Sequence, residues 1–166
     1  MRTKLFIDPG LNGTGWAMFP AFRSVVSRQI NLPSTWGVLR IPQGGELDSR
    51  LEAMVLTFKR EVLHHSIAST LWSATIEFPG MWATSQTSVT SAARGDLFKL
   101  AALCGAFAVL LWENGTRVKF ISPQEWKGQL PKDVVQQRLE KRWGITGIPN
   151  HALDAVGMGV AEQNGL

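Results

Sequence analysis

The order of elements along the chain predicts an α/β fold, with a central mixed five-stranded sheet flanked by helices. Short apolar runs stopped by turn residues alternate with longer stretches at helical spacing, in the order three strands, helix, strand, helix, strand, helices. The first strands follow one another closely enough for antiparallel pairing, whereas helices separate the later ones, which is the pattern of a mixed sheet. A chain of 166 residues that is 45% hydrophobic suffices for one such domain over residues 1–166, which argues against disorder and against a multidomain enzyme.

Residues 3 to 8, Thr-Lys-Leu-Phe-Ile-Asp, read as a buried strand ended by Pro9-Gly10. Asn12-Gly13 is a tight-turn signal, and residues 14 to 19 form the returning strand of a hairpin. Between Pro20 and Pro42 the chain is irregular, with strand-like pieces at 24–30 and 36–41, the second able to pair as a third antiparallel strand. From Glu46, the residues Leu47, Leu51, Met54, Val55, Phe58 and Val62 repeat at helical spacing and predict an amphipathic helix to about Ser69. Residues 71 to 78 form a strand stopped by Pro79-Gly80, and the Ser/Thr-rich stretch from Met81 to Ala93 reads as a loop.

A helix follows, ending at Asn114-Gly115; it is apolar nearly all round and so needs cover on more than one side. Residues 116 to 121 are the fifth strand. Ser122-Pro123-Gln124-Glu125 combines a capping serine, a proline at the first helical position and a glutamate three residues on, a capping box. Val135, Leu139 and Trp143 mark another helix ended by Gly144, and Asn150 is expected to cap the last one.

The longest apolar run, Leu100 to Trp112, falls short of the roughly 18 residues a membrane span requires. With no signal-type segment behind Met1 and one cysteine, Cys104, the expectation is a protein of a reducing, cytoplasmic compartment. The net charge of +4 is localised: between Gly115 and Gly144 stand seven basic residues and three acidic ones, and elsewhere the two signs balance. Such a basic segment is the footprint of an anionic partner such as nucleic acid, although a solvated helix face would look the same.

Asp8 and Glu77 stand apart from the other acidic residues. Each ends a largely apolar strand just before Pro-Gly, where a carboxylate is costly unless it is paired or binds a metal. His151 and Asp154, three apart, share a face at the first turn of the last helix. Asp8 bracing a turn, Glu77 pairing with an arginine and the His151/Asp154 pair capping a helix would account for each singly. Their joint placement instead supplies four ligands from three elements, an oxygen-rich set with one imidazole that suits Mg²⁺ or Mn²⁺ better than zinc.

Ile7-Asp8-Pro9-Gly10 followed by Thr14-Gly15, then Ala74-Thr75-Ile76-Glu77, then His151-Ala152-Leu153-Asp154-Ala155, resembles in order and approximate spacing the RuvC family of Holliday-junction resolvases. The resemblance spans most of the chain. It implies a ribonuclease H-like fold, a homodimer, and a metal-dependent endonuclease that makes paired nicks in four-way DNA junctions with two ions per site, Mg²⁺ with Mn²⁺ able to substitute. By the same resemblance Asp8, Glu77, His151 and Asp154 are the metal-binding catalytic residues; some members carry aspartate where His151 stands. The stretch Pro123-Gln124-Glu125-Trp126-Lys127 resembles a segment with a lysine important for DNA, which points to Lys127 and, less directly, Lys132. The segment after Glu77 is longer than in the bacterial enzymes and the loop after Lys127 shorter; a chain of this kind resembles a phage or mobile-element enzyme.

Trp82 could stack on a base or fold onto the core, and Arg94 is a candidate phosphate contact in a polar loop. His64 and His65 point about 100° apart on a helix and make a poor chelating pair. The apolar helix containing Cys104 and Gly105 is a candidate dimer interface, as the corresponding helix is in the family. Alternatives to junction resolution are a broader nuclease for flaps and forks, a ribonuclease H-type nuclease for RNA/DNA hybrids, and a non-catalytic branched-DNA-binding protein. An actin-like or sugar-kinase-like ATPase, which Asp8 to Gly15 also resembles, needs a second domain and phosphate loop for which there is no room.

Overall fold

The structure is a computed structural model that describes residues 2–21, 31–42, 44–63, 70–80 and 95–164. A five-stranded sheet forms its centre, built from β1 (Thr3–Asp8), β2 (Gly13–Pro20), β3 (Thr35–Arg40), β4 (Leu71–Glu77) and β5 (Arg117–Ile121), in the order β3-β2-β1-β4-β5. β1 pairs antiparallel with β2, and β2 with β3; β4 runs parallel to both β1 and β5. The sheet is therefore mixed, as the element order predicts.

Helices cover both faces. On one lie α1 (Leu47–Phe58), which passes into a π-helical turn at Lys59–Leu63, and α2 (Asp96–Glu113). On the other lie α3 (Pro123–Lys127), α4 (Lys132–Trp143) and α5 (Asn150–Asn164). The period-two alternation of β1 divides the core accordingly. Leu5 and Ile7 pack with Met54, Phe58, Leu103 and Phe107, while Phe6 packs with Phe19, Trp126, Leu139 and Val156. Each fully buried side chain of this size contributes about 1.5–3 kcal/mol of hydrophobic stabilisation.

Local expectations are met at several termini. Ser122 Oγ accepts from the Glu125 N–H, the Glu125 carboxylate accepts from the Ser122 N–H, and Gly144 ends α4 in the left-handed conformation at φ 64°. Others differ. Asn150 is the first residue of α5 rather than its cap, and the Pro149 carbonyl accepts the first helical bonds, from Ala152 and Leu153. The first helix leaves α geometry at Lys59, and the π turn lets the adjacent Val62 and Leu63 both be buried. The helix expected to need cover all round is packed in this chain along one side, at Leu103, Cys104, Phe107, Ala108 and Leu111. Its opposite stripe, with Phe98 77%, Val109 49% and Trp112 54% exposed, is open to solvent. The expected strand at 24–30, the histidines at 64 and 65, and the loop carrying Trp82 and Arg94 lie outside the described residues.

Candidate active site

Asp8 and Glu77 are the last residues of two neighbouring parallel strands, in a register that pairs Ile7 with Ile76, so the carboxylates emerge side by side at the C-terminal edge of the sheet. Such edges are where open α/β sheets place their ligands. The turn after β1 is held from within: the buried Thr14 hydroxyl donates to the Gly10 carbonyl at 3.1 Å and accepts the Gly10 N–H at 3.2 Å. From outside, Arg50 donates to the Leu11 carbonyl at 3.1 Å and to the Asn12 side chain.

α5 brings the other two candidates. Its first turn lies directly on the hairpin, so close at Gly15 that a Cβ there would fall 1.6 Å from the His151 carbonyl oxygen. Gly157 and Gly159 permit close packing farther along, against the rings of Trp126 and Phe19. This seats Asp154 in the interior at 7% exposure and leaves His151 exposed beside Gly13. The expected four residues are thus gathered at one edge, three of them buried or half-buried.

Their charges are coupled. Burial pushes the Asp8 carboxyl up to about 8, and the negative charges of Glu77 and Asp154 add to the effect, while Lys132 and Lys127 oppose it. Burial likewise raises the Glu77 carboxyl, against the pull of a hydrogen bond from the Trp126 indole N–H to Glu77 Oε2 at 2.7 Å. Asp154 is held by two ammonium groups, Lys132 at 3.1 Å and Lys127 at 3.5 Å, and Lys127 also lies 4.8 Å from the Trp126 ring centroid. The two lysines singled out as DNA contacts therefore border the carboxylates directly. Cys104 lies just beneath, its thiol 3.7 Å from the Glu77 carbonyl and pushed up to about 12 by burial, which makes it inert packing.

Among the described residues, no three His, Cys, Asp or Glu side chains stand close enough together to hold one ion as they are arranged. The donor chemistry nevertheless fits a hard divalent cation. Glu77 and Asp154 oppose the ionisation of Asp8, and Asp154 that of Glu77, more than Lys127 and Lys132 relieve it, and oxygen donors are what Mg²⁺ and Mn²⁺ prefer. Asp8, Glu77 and Asp154 would hold such an ion, with His151 at the margin.

A cleft of about 380 Å³ opens beside Asp8, lined by the turn Pro9 to Gly13, Arg50, Asp96, Lys99, Leu100 and His151. Sequence reasoning did not single out Arg50, Asp96, Lys99 or Trp126. Arg50 Nε is buried without a hydrogen-bond partner among the described residues, and Lys99 is paired with Asp96 at 2.9 Å. Only Trp126 had a legible signal, as a large aromatic beside Lys127 in a capped helix; the others sit on helices whose orientation no local pattern gives.

No family model matches the chain, and no curated protein matches it. Solved structures do. The Thermus thermophilus RuvC structure superimposes with a TM-score of 0.69 at 17% identity, covering 96% of this chain and 92% of that one. T. thermophilus RuvC in complex with a Holliday junction substrate superimposes with a TM-score of 0.68 at 17% identity, over 97% and 92%. The mixed sheet, its strand order and its flanking helices are thus those of a RuvC-like, ribonuclease H-like fold.

Proposed function

We propose that this chain is a divalent-metal-dependent endonuclease for branched DNA that resolves four-way junctions by paired nicks. The observation that carries the reading is the electrostatically coupled trio Asp8, Glu77 and Asp154 at the sheet edge, bordered by Lys127 and Lys132. The RuvC-like fold, solved elsewhere on a Holliday junction, supports the choice of substrate.

Asp8, Glu77 and Asp154 would hold a divalent ion, which when bound would supply Lewis acidity for activating water and for offsetting charge on the leaving oxygen. The chain's own residues do the rest. Asp8 and Glu77 are fixed by strand register and Glu77 is further oriented by Trp126. Lys127 and Lys132, which border the carboxylates through Asp154, would bind the phosphates flanking the scissile bond. His151, exposed on the wall of the cleft beside Asp8, would take a proton from the attacking water.

Paired nicks require two sites. The open stripe of α2, with Phe98, Val109 and Trp112 on one face, is the surface on which a second copy of the chain would pack. The test is a cleavage assay with Mg²⁺ or Mn²⁺ on a mobile four-way junction beside matched duplex, flap, fork and RNA/DNA hybrid. Symmetric nicks in the junction, lost in Asp8→Asn with junction binding retained, are expected. Equal cutting of flaps and forks would make it a general debranching nuclease, preferential cutting of the hybrid a ribonuclease H, and binding without nicks a non-catalytic protein.

A further inference from the structure

At the opposite end of the same strands, three cations surround one indole. The Trp72 ring centroid lies 5.3 Å from the Arg2 guanidinium carbon, 5.8 Å from that of Arg117 and 5.9 Å from Lys4 Nζ. All are within the range of a cation–π contact. Lys4 is tied to Glu162. Arg2 and Arg117 are exposed, and among the described residues neither has an acidic partner. One cation suffices to cover an aromatic face, and additional like charges around the ring repel one another, so the arrangement presents surplus positive charge to an incoming anion.

The sheet register connects this patch to the carboxylates. Lys4 pairs with Ser73 and Ser73 with Arg117; Phe6 pairs with Thr75 and Thr75 with Lys119; Glu77 pairs with Ile121. These residues share one face of the sheet. On that face a cleft of about 220 Å³ runs between β4–β5 and the helices α3 and α5, with Phe6, Thr75 and Ile121 along it and Lys119 on its wall. Trp126, the donor to Glu77, stands in the cleft, as does Glu162, the partner of Lys4. Both carboxylates of the cleft are already engaged, Glu162 with Lys4 and Glu125 with the Ser122 backbone. The patch and the candidate active site therefore lie at opposite ends of one sheet face, with this cleft and the exposed Lys119 between them. Trp72 is the extra residue where the β1–β4 register shifts, and from Ser73 to Glu77 is about 13 Å along the strand, so the patch lies roughly four to five nucleotide steps away at ~3.4 Å per step.

We infer that Arg2 and Arg117, held in place by the Trp72 ring, form a second phosphate-binding site for the DNA arm whose backbone reaches Asp8 and Glu77. The inference rests on the nuclease reading above and extends it, in that substrate affinity is set in part roughly four to five nucleotides from the cut. Guanidinium groups are suited to bidentate phosphate contacts, and an aromatic backing fixes their planes without neutralising them. An acidic protein surface would meet the same charges, but their alignment with Lys119 and Glu77 on one sheet face favours a polyanion long enough to span it.

The experiment compares wild type with Arg2→Ala/Arg117→Ala, Trp72→Leu and, as a control for loss of any exposed arginine, Arg60→Ala. Binding of a fluorescent four-way junction is measured by anisotropy from 50 to 300 mM salt with Ca²⁺, and single-turnover cleavage is measured at saturating protein with Mg²⁺. Two lost phosphate contacts are expected to lower the slope of log K against log salt by about 1.8, at ~0.9 per contact. Affinity should fall about tenfold with the cleavage rate of bound junction unchanged, Trp72→Leu should lie between, and Arg60→Ala should match wild type. Circular dichroism confirms folding, and Arg2→Lys/Arg117→Lys, which keeps the charge but not the fork, should recover part of the loss. Wild-type affinity and slope in the double variant would overturn the patch while leaving the nuclease intact. A wild-type protein that binds no branched DNA would overturn both.

Discussion

Replacing Asp8 with asparagine should make the metal-free protein more stable at alkaline pH while destroying the proposed activity. Asp8 is a carboxyl raised from 3.8 to about 8 in the folded chain, first by burial and then by Glu77 and Asp154. Between those two values the folded state retains a proton that the unfolded state has released. Stability therefore falls as pH rises from about 4 to about 8 and is flat beyond, the opposite of a salt-bridged aspartate. A shift of about four units at ~1.4 kcal/mol each sets a ceiling of about 6 kcal/mol. The side chain is only half-buried, and water reaching it reduces the expected loss to about 2 kcal/mol. Asparagine has nearly the same shape and no charge, so it should be level with wild type near pH 4 and more stable by about 2 kcal/mol at pH 8.5. Urea denaturation in EDTA at half-unit pH steps measures this directly. Parallel pH profiles for the two proteins would refute the argument that uncompensated charge collects at Asp8, and with it the case for a cation there.

Other consequences are equally direct. Trp126→Phe removes the donor at 2.7 Å from Glu77 but keeps most of the ring, so a stability loss of about 1–2 kcal/mol and a slower cleavage step are expected, read by urea melts and single-turnover rates. Gly15→Ala drives a Cβ into the His151 backbone, displaces the start of α5 and should cost more than ~3 kcal/mol or prevent folding, as seen by circular dichroism. Lys132→Met leaves the buried Asp154 with Lys127 alone at 3.5 Å; unfolding in EDTA should occur about 1–3 kcal/mol earlier, with part of the loss recovered by millimolar Mn²⁺.

Much of this molecule was written locally. Pro9-Gly10 and Asn12-Gly13 delimit the first hairpin, the alternation of Leu5, Phe6 and Ile7 divides two cores, and the Ser122 to Glu125 capping box starts α3. Each depends on neighbours within a few residues, which is why each is readable from the chain. Asp8 and Glu77 were legible for a related reason, since a carboxylate closing an apolar strand just before Pro-Gly is an anomaly in the local sequence.

What tertiary structure decided concerns meetings between distant segments. That Trp126 turns its N–H to Glu77, that Lys127 and Lys132 close on Asp154, that Arg50 ties the turn after β1, and that Arg2, Trp72 and Arg117 converge at the far edge all depend on strand order and helix orientation. Which residues are costly to bury and where the chain must change direction are already set in the amino-acid order, because those are properties of a residue and its neighbours. The pairing of β1 with both β2 and β4 decided which charges share a site, because Coulomb interactions depend on distance in space and separation along the chain carries no such distance.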